Sequence, residues 1–501
     1  MMRFVGFTRR VTVFRVTVLM IGASFAYTAH ARQGELPYSL AHRAKARVVV
    51  PIEDVRPIDA ATERVEVDAR AHWVGPHTKR LQVAVDNAVA IDPSRSGVWD
   101  MLADGSRLWR VRLRAAGATD LRLGFARYAL PPGATLYVIG DDEYYQGPYT
   151  AADATGARFH APVVPGDTAT VELRIPAGAM FSSDALELGS IGAGFRDVFG
   201  REKTDSRDLG TSGACNVNIA CPLGETYPDD VRAVGQYEYQ ADDREYYLCT
   251  GTLVADVPRD RKNYFVTAAH CITSNTEAAS MVVYWNYQST RCNQLSAPVG
   301  GFFNDNQQGA VLRATRADVD FSLVELSQTP DPSWHLYYTG WDASGATPAA
   351  TIGIHHPSGD VKKITAGPAP TTSDSCINSA VDTHWTTGPY TEGTTENGSS
   401  GSGLFVASGH PHARLLTGTL SGGDAACSSV SPSQPNAGTD CYGKLAVAWD
   451  GASATTRLRD WLDPAHTGMT LLEAVEDSPP LVIPRHSTRP IPAILLYRRQ
   501  R

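Results

Sequence analysis

Residues 264–271 read YFVTAAHC. The run Tyr264 to Thr267 has the composition of a short strand, and two alanines then lead to His270 and Cys271. A histidine after an apolar run is most often a core residue held by hydrogen bonds. The meaning of His270 therefore depends on what else the chain supplies. Two other stretches bear on it. Residues 318–326 read DVDFSLVEL, where Asp320 precedes an alternating strand. Residues 391–405 read TEGTTENGSSGSGLF, where Ser400 stands among closely spaced glycines.

In chain order these give His270, Asp320 and Ser400. Serine is a weak nucleophile, and a histidine must take its proton during attack. A carboxylate must in turn fix the imidazole tautomer and stabilise its charged form. The glycines beside Ser400 allow a tight turn that aims the N–H groups of Gly398 and Ser400 at one point. Two such donors stabilise the oxyanion of a tetrahedral intermediate. Each piece alone has a plain alternative: a flexible turn, a solvated aspartate, a packed histidine. Together, and in this order, they point to acyl-transfer chemistry.

The chain has 501 residues, enough for two or three domains. Its net charge of -8 gives no reason to expect nucleic acid as a partner. Residues 1–31 read as a secretory signal: Arg3, Arg9, Arg10 and Arg15, then the apolar run Val16 to Ala26, then Ala29-His30-Ala31. An uncleaved membrane anchor is the alternative, but the run is short for a span, and no membrane association is expected after signal removal. All eight cysteines lie beyond residue 214, whereas residues 32–214 have none. In an exported chain an even count argues for disulfides, and the tight C-x-x-C pairs of zinc sites are absent.

Residues 32–209 read as a β-rich, sandwich-like unit. Trp109, Val111 and Leu113 alternate with Arg110, Arg112 and Arg114, and Leu121, Leu123, Phe125 and Val171, Leu173, Ile175 repeat the pattern. Residues 196–209 (RDVFGREKTDSRDL) read as an exposed linker. Residues 210–475 are rich in short strands, with one short helix expected where 455–464 (TTRLRDWLDP) stops at Asp463-Pro464. The tail 476–501 has five prolines and is assigned no fold.

The stretches TAAHC (267–271), DFSLVEL (320–326), GSSGSG (398–403), IHHPSGD (354–360), RLRDWLDP (457–464) and SGACNVNIACP (212–222) resemble the bacterial lysyl endopeptidases, a branch of the trypsin-like serine proteases. The resemblance covers about half the chain. It implies an all-β fold: a chymotrypsin-like double β-barrel over 210–475, with residues 32–209 as a prodomain that aids folding and covers the cleft. It makes His270 the general base, Asp320 its orienting carboxylate and Ser400 the nucleophile, with Gly398 and Ser400 as the oxyanion hole. The Gly-x-Ser-Gly frame selects Ser400 over Ser399. Ser399 stands where many relatives carry an aspartate that pairs with a newly freed N-terminus, so activation is expected to do without that ion pair.

The resemblance also pairs Cys215 with Cys427, Cys221 with Cys292, and Cys249 with Cys271. Cys376 and Cys441 have no counterpart in the family pattern; elimination pairs them, with two free thiols as the alternative. A pocket for a cationic side chain needs a carboxylate at its base. The family register puts that group at Asp440, in TDCYG (439–443). Ser421, Gly422 and Gly423 are expected to present backbone to the substrate as an added strand. The chain departs from the family at Ser421, where a histidine stacked on a tryptophan is the pattern, and residues 371–380 supply no such tryptophan. Specificity for lysine, with arginine as the alternative, stays open on that account.

His355-His356 invites a metal reading, but adjacent strand side chains face opposite ways, so a structural role is expected and no metal or cofactor. His384-Trp385 reads as packing or a cleft wall. The expected partners are polypeptide substrates and the chain's own prodomain, in a secreted monomer. Lys203, Arg207 and the Leu209-Gly210 bond are the competing processing points. The competing functions are a silent protease fold used for binding, a protease of acidic specificity, and a permanent adhesion module in residues 32–205.

Overall fold

The structure is a computed structural model that describes residues 34–43, 49–73, 78–199, 212–292, 303–407, 414–427 and 436–474. The expected signal segment, the processing points Lys203, Arg207 and Leu209-Gly210, and the tail from 476 lie outside the described residues. No helix among the described residues is long and apolar enough to cross a membrane.

The N-terminal domain is a sandwich of two sheets. One contains β1 (Leu81–Ile91), β3 (Asp120–Tyr128), β5 (Phe159–Pro165) and β7 (Leu186–Gly194), in the order β1-β7-β3-β5; the other is built on β2 (Arg107–Arg114), β4 (Thr135–Ile139) and β6 (Thr168–Ile175). The alternating residues do what period two demands: Trp109, Val111, Leu113, Leu121, Leu123, Phe125, Val171, Leu173 and Ile175 share one buried cluster between the sheets.

Three features depart from the sequence reading. A helix, α1 (Ala60–Trp73), precedes β1. Its apolar residues form no stripe, with Val65 exposed and Val67 buried, so periodicity gave no sign of it. Second, the intervening arginines are not all in solvent. Arg110 is buried and pairs with Asp100, and Arg122 is buried between Asp120 and Glu238. Glu238 belongs to the C-terminal domain, and Tyr284 donates to its other oxygen at 2.6 Å. A buried guanidinium is tolerable only with such partners. Third, the expected exposed linker begins packed: Phe199 is buried against Tyr144 and Phe303.

The C-terminal domain has the expected double-barrel, chymotrypsin-like plan. The first barrel uses β8 (Val234–Gln240), β9 (Tyr246–Leu253), β10 (Tyr264–Thr267), β11 (Val282–Tyr284), β12 (Ala310–Arg316) and β13 (Phe321–Leu326), hydrogen-bonded in the path β11-β8-β9-β10-β13-β12. The second uses β14 (Ala350–His355), β15 (Lys363–Pro368), β16 (His384–Thr387), β17 (Gly403–Val406), β18 (Leu416–Gly423) and β19 (Asp440–Lys444), in the path β15-β14-β17-β18-β19-β16. The short helix α2 (Arg459–Leu462) stops at Asp463. Disulfides join Cys215–Cys427, Cys221–Cys292, Cys249–Cys271 and Cys376–Cys441.

The two domains share a sheet. β1 pairs with β7 of its own domain on one side and antiparallel with β9 of the first barrel on the other, through Leu81↔Leu248, Gln82↔Tyr247 and Ala84↔Tyr246. The chain just before β1 is thereby delivered to the face of the C-terminal domain where His270 and Ser400 lie.

Candidate active site

β10 ends at Thr267, and the turn that follows carries His270, braced by the Cys249–Cys271 disulfide to β9. Asp320 directly precedes β13, which pairs with β10, so the ladder sets the distance between the two side chains. His270 Nδ1 lies 2.8 Å from Asp320 Oδ2, and the His270 backbone N–H donates to Asp320 Oδ1 at 2.9 Å. Asp320 is buried and adopts φ +53°, a left-handed conformation that aspartate tolerates better than most residues. On the other side, His270 Nε2 lies 2.6 Å from Ser400 Oγ. The imidazole is thus held at both nitrogens.

The loop carrying Ser400 is fixed from the first barrel. The Thr250 N–H donates to the Ser400 carbonyl at 2.8 Å, and Thr250 Oγ1 donates to the Gly398 carbonyl at 2.9 Å. Gly398 has φ +97°, and a Cβ there would come within 2.8 Å of the His356 carbonyl oxygen. Only glycine fits this position. The resulting turn brings the N–H groups of Gly398 and Ser400 onto one oxygen, and that oxygen is the backbone carbonyl of Lys79.

Asp440 begins β19 and is buried. Its Oδ1 accepts from the Nζ of Lys79 at 2.7 Å. Its Oδ2 accepts from Tyr390 at 2.7 Å and from Thr395 Oγ1. The Lys79 Nζ also donates to the Ala425 carbonyl at 2.9 Å, the Thr395 carbonyl at 3.2 Å and Thr395 Oγ1. A small cation with tetrahedrally disposed donors suits this set of acceptors. Gly423 has φ +143°, and a Cβ there would lie 2.5 Å from Asp440 Oδ1, so glycine keeps the pocket open.

The remaining residues marked in the sequence fall around this centre. Gly422 forms an antiparallel bridge with Thr78. Ser421 lies 3.0 Å from Nε2 of His384, whose ring burial pushes down to about 4. The family's histidine is missing from position 421, but β16 carries one to its side from another strand. His384 is buried, and its neighbour Trp385 is buried against Leu404, Leu420 and Tyr442. His355 and His356 part as strand geometry requires: His355 Nδ1 meets Ser399 at 2.8 Å, and His356 Nδ1 meets the Asp360 carbonyl at 3.0 Å. Ser399 Oγ lies on His355, not on His270. The sequence reading missed Tyr390, Thr395 and Ala425, which are ordinary loop residues until the fold gathers them, and it missed Lys79 altogether.

Residues 209–443 match the family described as lysyl endopeptidase, C-terminal domain, and residues 56–191 match the lysyl endopeptidase N-terminal domain. A lysyl endopeptidase from Pseudomonas aeruginosa is 30% identical over 353 residues, which is 66% of this chain and 71% of the relative. Among solved structures, a thermostable serine protease AL20 from an extremophilic microorganism is 14% identical with a TM-score of 0.30, covering 43% of this chain and 93% of its own. The protease Anisep from Arthrobacter nicotinovorans is 15% identical with a TM-score of 0.31, covering 43% and 91%.

Proposed function

The chain belongs to the lysyl endopeptidase family, and from that premise we propose that this serine endopeptidase is exported and cuts polypeptides after lysine. The observation that carries the reading is the path of Lys79. Its carbonyl oxygen meets the Gly398 and Ser400 amides, and its ammonium reaches Asp440. One residue thus spans the distance from the nucleophile loop to the pocket floor.

In this reading Ser400 Oγ attacks the substrate carbonyl while His270 Nε2 takes its proton. Asp320 keeps the Nδ1–H tautomer and stabilises the imidazolium. The Gly398 and Ser400 amides hold the oxyanion. His270 then gives the proton to the leaving amine, and water, deprotonated by the same imidazole, releases the acyl group. Lysine is favoured over arginine because Nζ touches Asp440 directly, while Tyr390 and Thr395 close the space around the other carboxylate oxygen. A guanidinium is longer and planar, and it would have to displace them. The same carboxylate opposes acidic specificity. The N-terminal domain, whose β1 is zipped to β9, serves as a prodomain. The four disulfides fit an oxidising destination.

The test is a digest of a denatured protein by the exported chain, with Ser400→Ala as control, and every new peptide end read by mass spectrometry. Ends after lysine that vanish in the control are expected. Equal cleavage after lysine and arginine would replace the lysyl reading by a general basic one. Ends after other residues would overturn it.

A further inference from the structure

Lys79 enters the site in the manner of a substrate, and the chain on both sides of it does so too. Thr78 bridges Gly422 of β18 in antiparallel register. Lys79 is buried, with its carbonyl on the Gly398 and Ser400 amides and its ammonium on Asp440, Thr395 and Ala425. The guanidinium of Arg80 lies 4.3 Å over the Tyr247 ring. From Leu81 onward the chain is a strand of the first barrel's sheet. An extended segment that crosses the cleft with one carbonyl in the donor pair presents the peptide bond of that carbonyl to the Ser400 loop. That bond is Lys79–Arg80.

We propose that Thr78-Lys79-Arg80 is the enzyme's own first substrate: Lys79 plugs the specificity pocket of the intact chain, and Ser400 of the same chain cuts the Lys79–Arg80 bond. The inference rests on the lysyl endopeptidase reading. In the step, Ser400 Oγ bonds to the Lys79 carbonyl carbon and its proton passes to His270. The C–N bond to Arg80 breaks, and that proton goes to the Arg80 nitrogen. One water then frees the Lys79 carboxylate and regenerates Ser400. The net change is one peptide bond and one water converted into a carboxylate and an amine.

The sheet explains why the plug also restrains the enzyme. β1 stays paired to β7 and to β9 after the bond is cut, so the new Arg80 amine remains in the cleft beside the acyl group. A tethered segment acts at an effective concentration of about a millimolar, above many free-substrate KM values. Cleavage at Lys79 therefore does not by itself open the site, which is freed only when the Thr78-Lys79 segment leaves the pocket.

The experiment uses the full chain, exported into an oxidising compartment, as wild type, Ser400→Ala and Lys79→Gln. Chain termini are read by mass spectrometry over time, and a lysyl peptide amide reports activity. A terminus at Arg80 is expected in wild type, forming at a rate independent of protein concentration and absent from both variants. The lag before the added peptide is cut should shorten in Lys79→Gln by on the order of tenfold. If Lys79→Gln does not accumulate, the comparison with Ser400→Ala decides. A wild-type chain that cuts the added peptide but never yields an Arg80 terminus overturns the inference and leaves the proposed function standing. So does an unchanged lag, or a rate that rises with concentration. A chain freed of its N-terminal domain that does not cut the lysyl peptide overturns the proposed function, and the inference with it.

Discussion

The hydroxyl of Ser399 lies 2.8 Å from Nδ1 of His355 and accepts the Glu396 N–H at 3.2 Å. The position next to Ser400 is thus filled by a neutral contact inside the second barrel. In the intact chain the His270–Ser400 contact already exists, and the segment after the three competing processing points is already tied down. Ser212 donates to Asp360 at 2.6 Å and the Gly213 N–H donates to Glu396 at 2.9 Å. These contacts are assembled while the N-terminal domain is still attached. Alanine at Gly210 or Thr211 is therefore expected to change kcat/KM of the processed enzyme by no more than about twofold. Steady-state kinetics on a lysyl amide checks this, and a collapse of activity would show that a terminal ion pair operates after all.

Asp320 and Ser400 sit on opposite nitrogens of one imidazole, so they should fail differently. Ser400→Ala removes the nucleophile, and a loss of kcat of about 10^6-fold is expected, close to that of removing His270 as well. Asp320→Asn keeps the shape but favours the wrong tautomer, for about 10^4-fold. Combining the two should cost no more than Ser400→Ala alone. Single-turnover kinetics of the variants, each freed of its N-terminal domain by an added protease that is then removed, measures this, and additive losses would mean that the groups do not act as one unit.

The contact of His270 with Asp320 and Ser400 was legible because each of these residues, the proposed base, carboxylate and nucleophile, sits in a short local pattern. The sheet ladder between β10 and β13 then converts sequence neighbourhood into distance. The sandwich was legible in the same way, from period-two alternation at Trp109, Val111 and Leu113. What was not legible depends on contacts between distant segments. Arg122 reads as an outward strand residue until Glu238 arrives from the other domain. His384 and Ser421 lie far apart in the sequence, on β16 and β18, and only the folded sheet brings them together. Lys79 lies in a short connection before β1, and only the pairing of β1 with β9 carries it to Asp440. The helix Ala60–Trp73 lacks the apolar stripe by which helices are read.

Asp230 supplies a pH dependence with a definite sign. It is buried, and neither carboxylate oxygen has a hydrogen-bond partner. Burial pushes its carboxyl up to about 7 from an ordinary 3.8. Between those values the folded state holds a proton that the unfolded state lacks, so this group's contribution is present at low pH and is lost as pH rises toward 7. Asp230→Asn removes the titration. Relative to wild type, the variant should gain about 3 kcal/mol between pH 5 and pH 8, at about 1.4 kcal/mol per unit up to pH 7. Urea unfolding of both proteins at the two pH values, with disulfides intact, reads the difference. An equal offset at both values would show that Asp230 is ionised throughout.

Tyr390 and Thr395 hold one oxygen of Asp440, and the other accepts from the Lys79 ammonium. Removing the charge and removing its support should therefore separate. Asp440→Asn leaves a buried ammonium without a counter-ion, a loss of roughly 3–5 kcal/mol. In kcat/KM for a lysyl amide that is a fall of about 10^2- to 10^4-fold. Tyr390→Phe deletes one hydrogen bond to a charged group, worth about 1.5–3 kcal/mol, and keeps the charge. Its fall should be about 10- to 150-fold. The phenylalanine also relaxes the wall behind Asp440, so the ratio of lysine to arginine cleavage should drop in Tyr390→Phe. In Asp440→Asn both substrates should fall together. Paired lysyl and arginyl amides measured on both variants give the two numbers. An Asp440→Asn enzyme that keeps its lysyl activity would place the selecting carboxylate elsewhere.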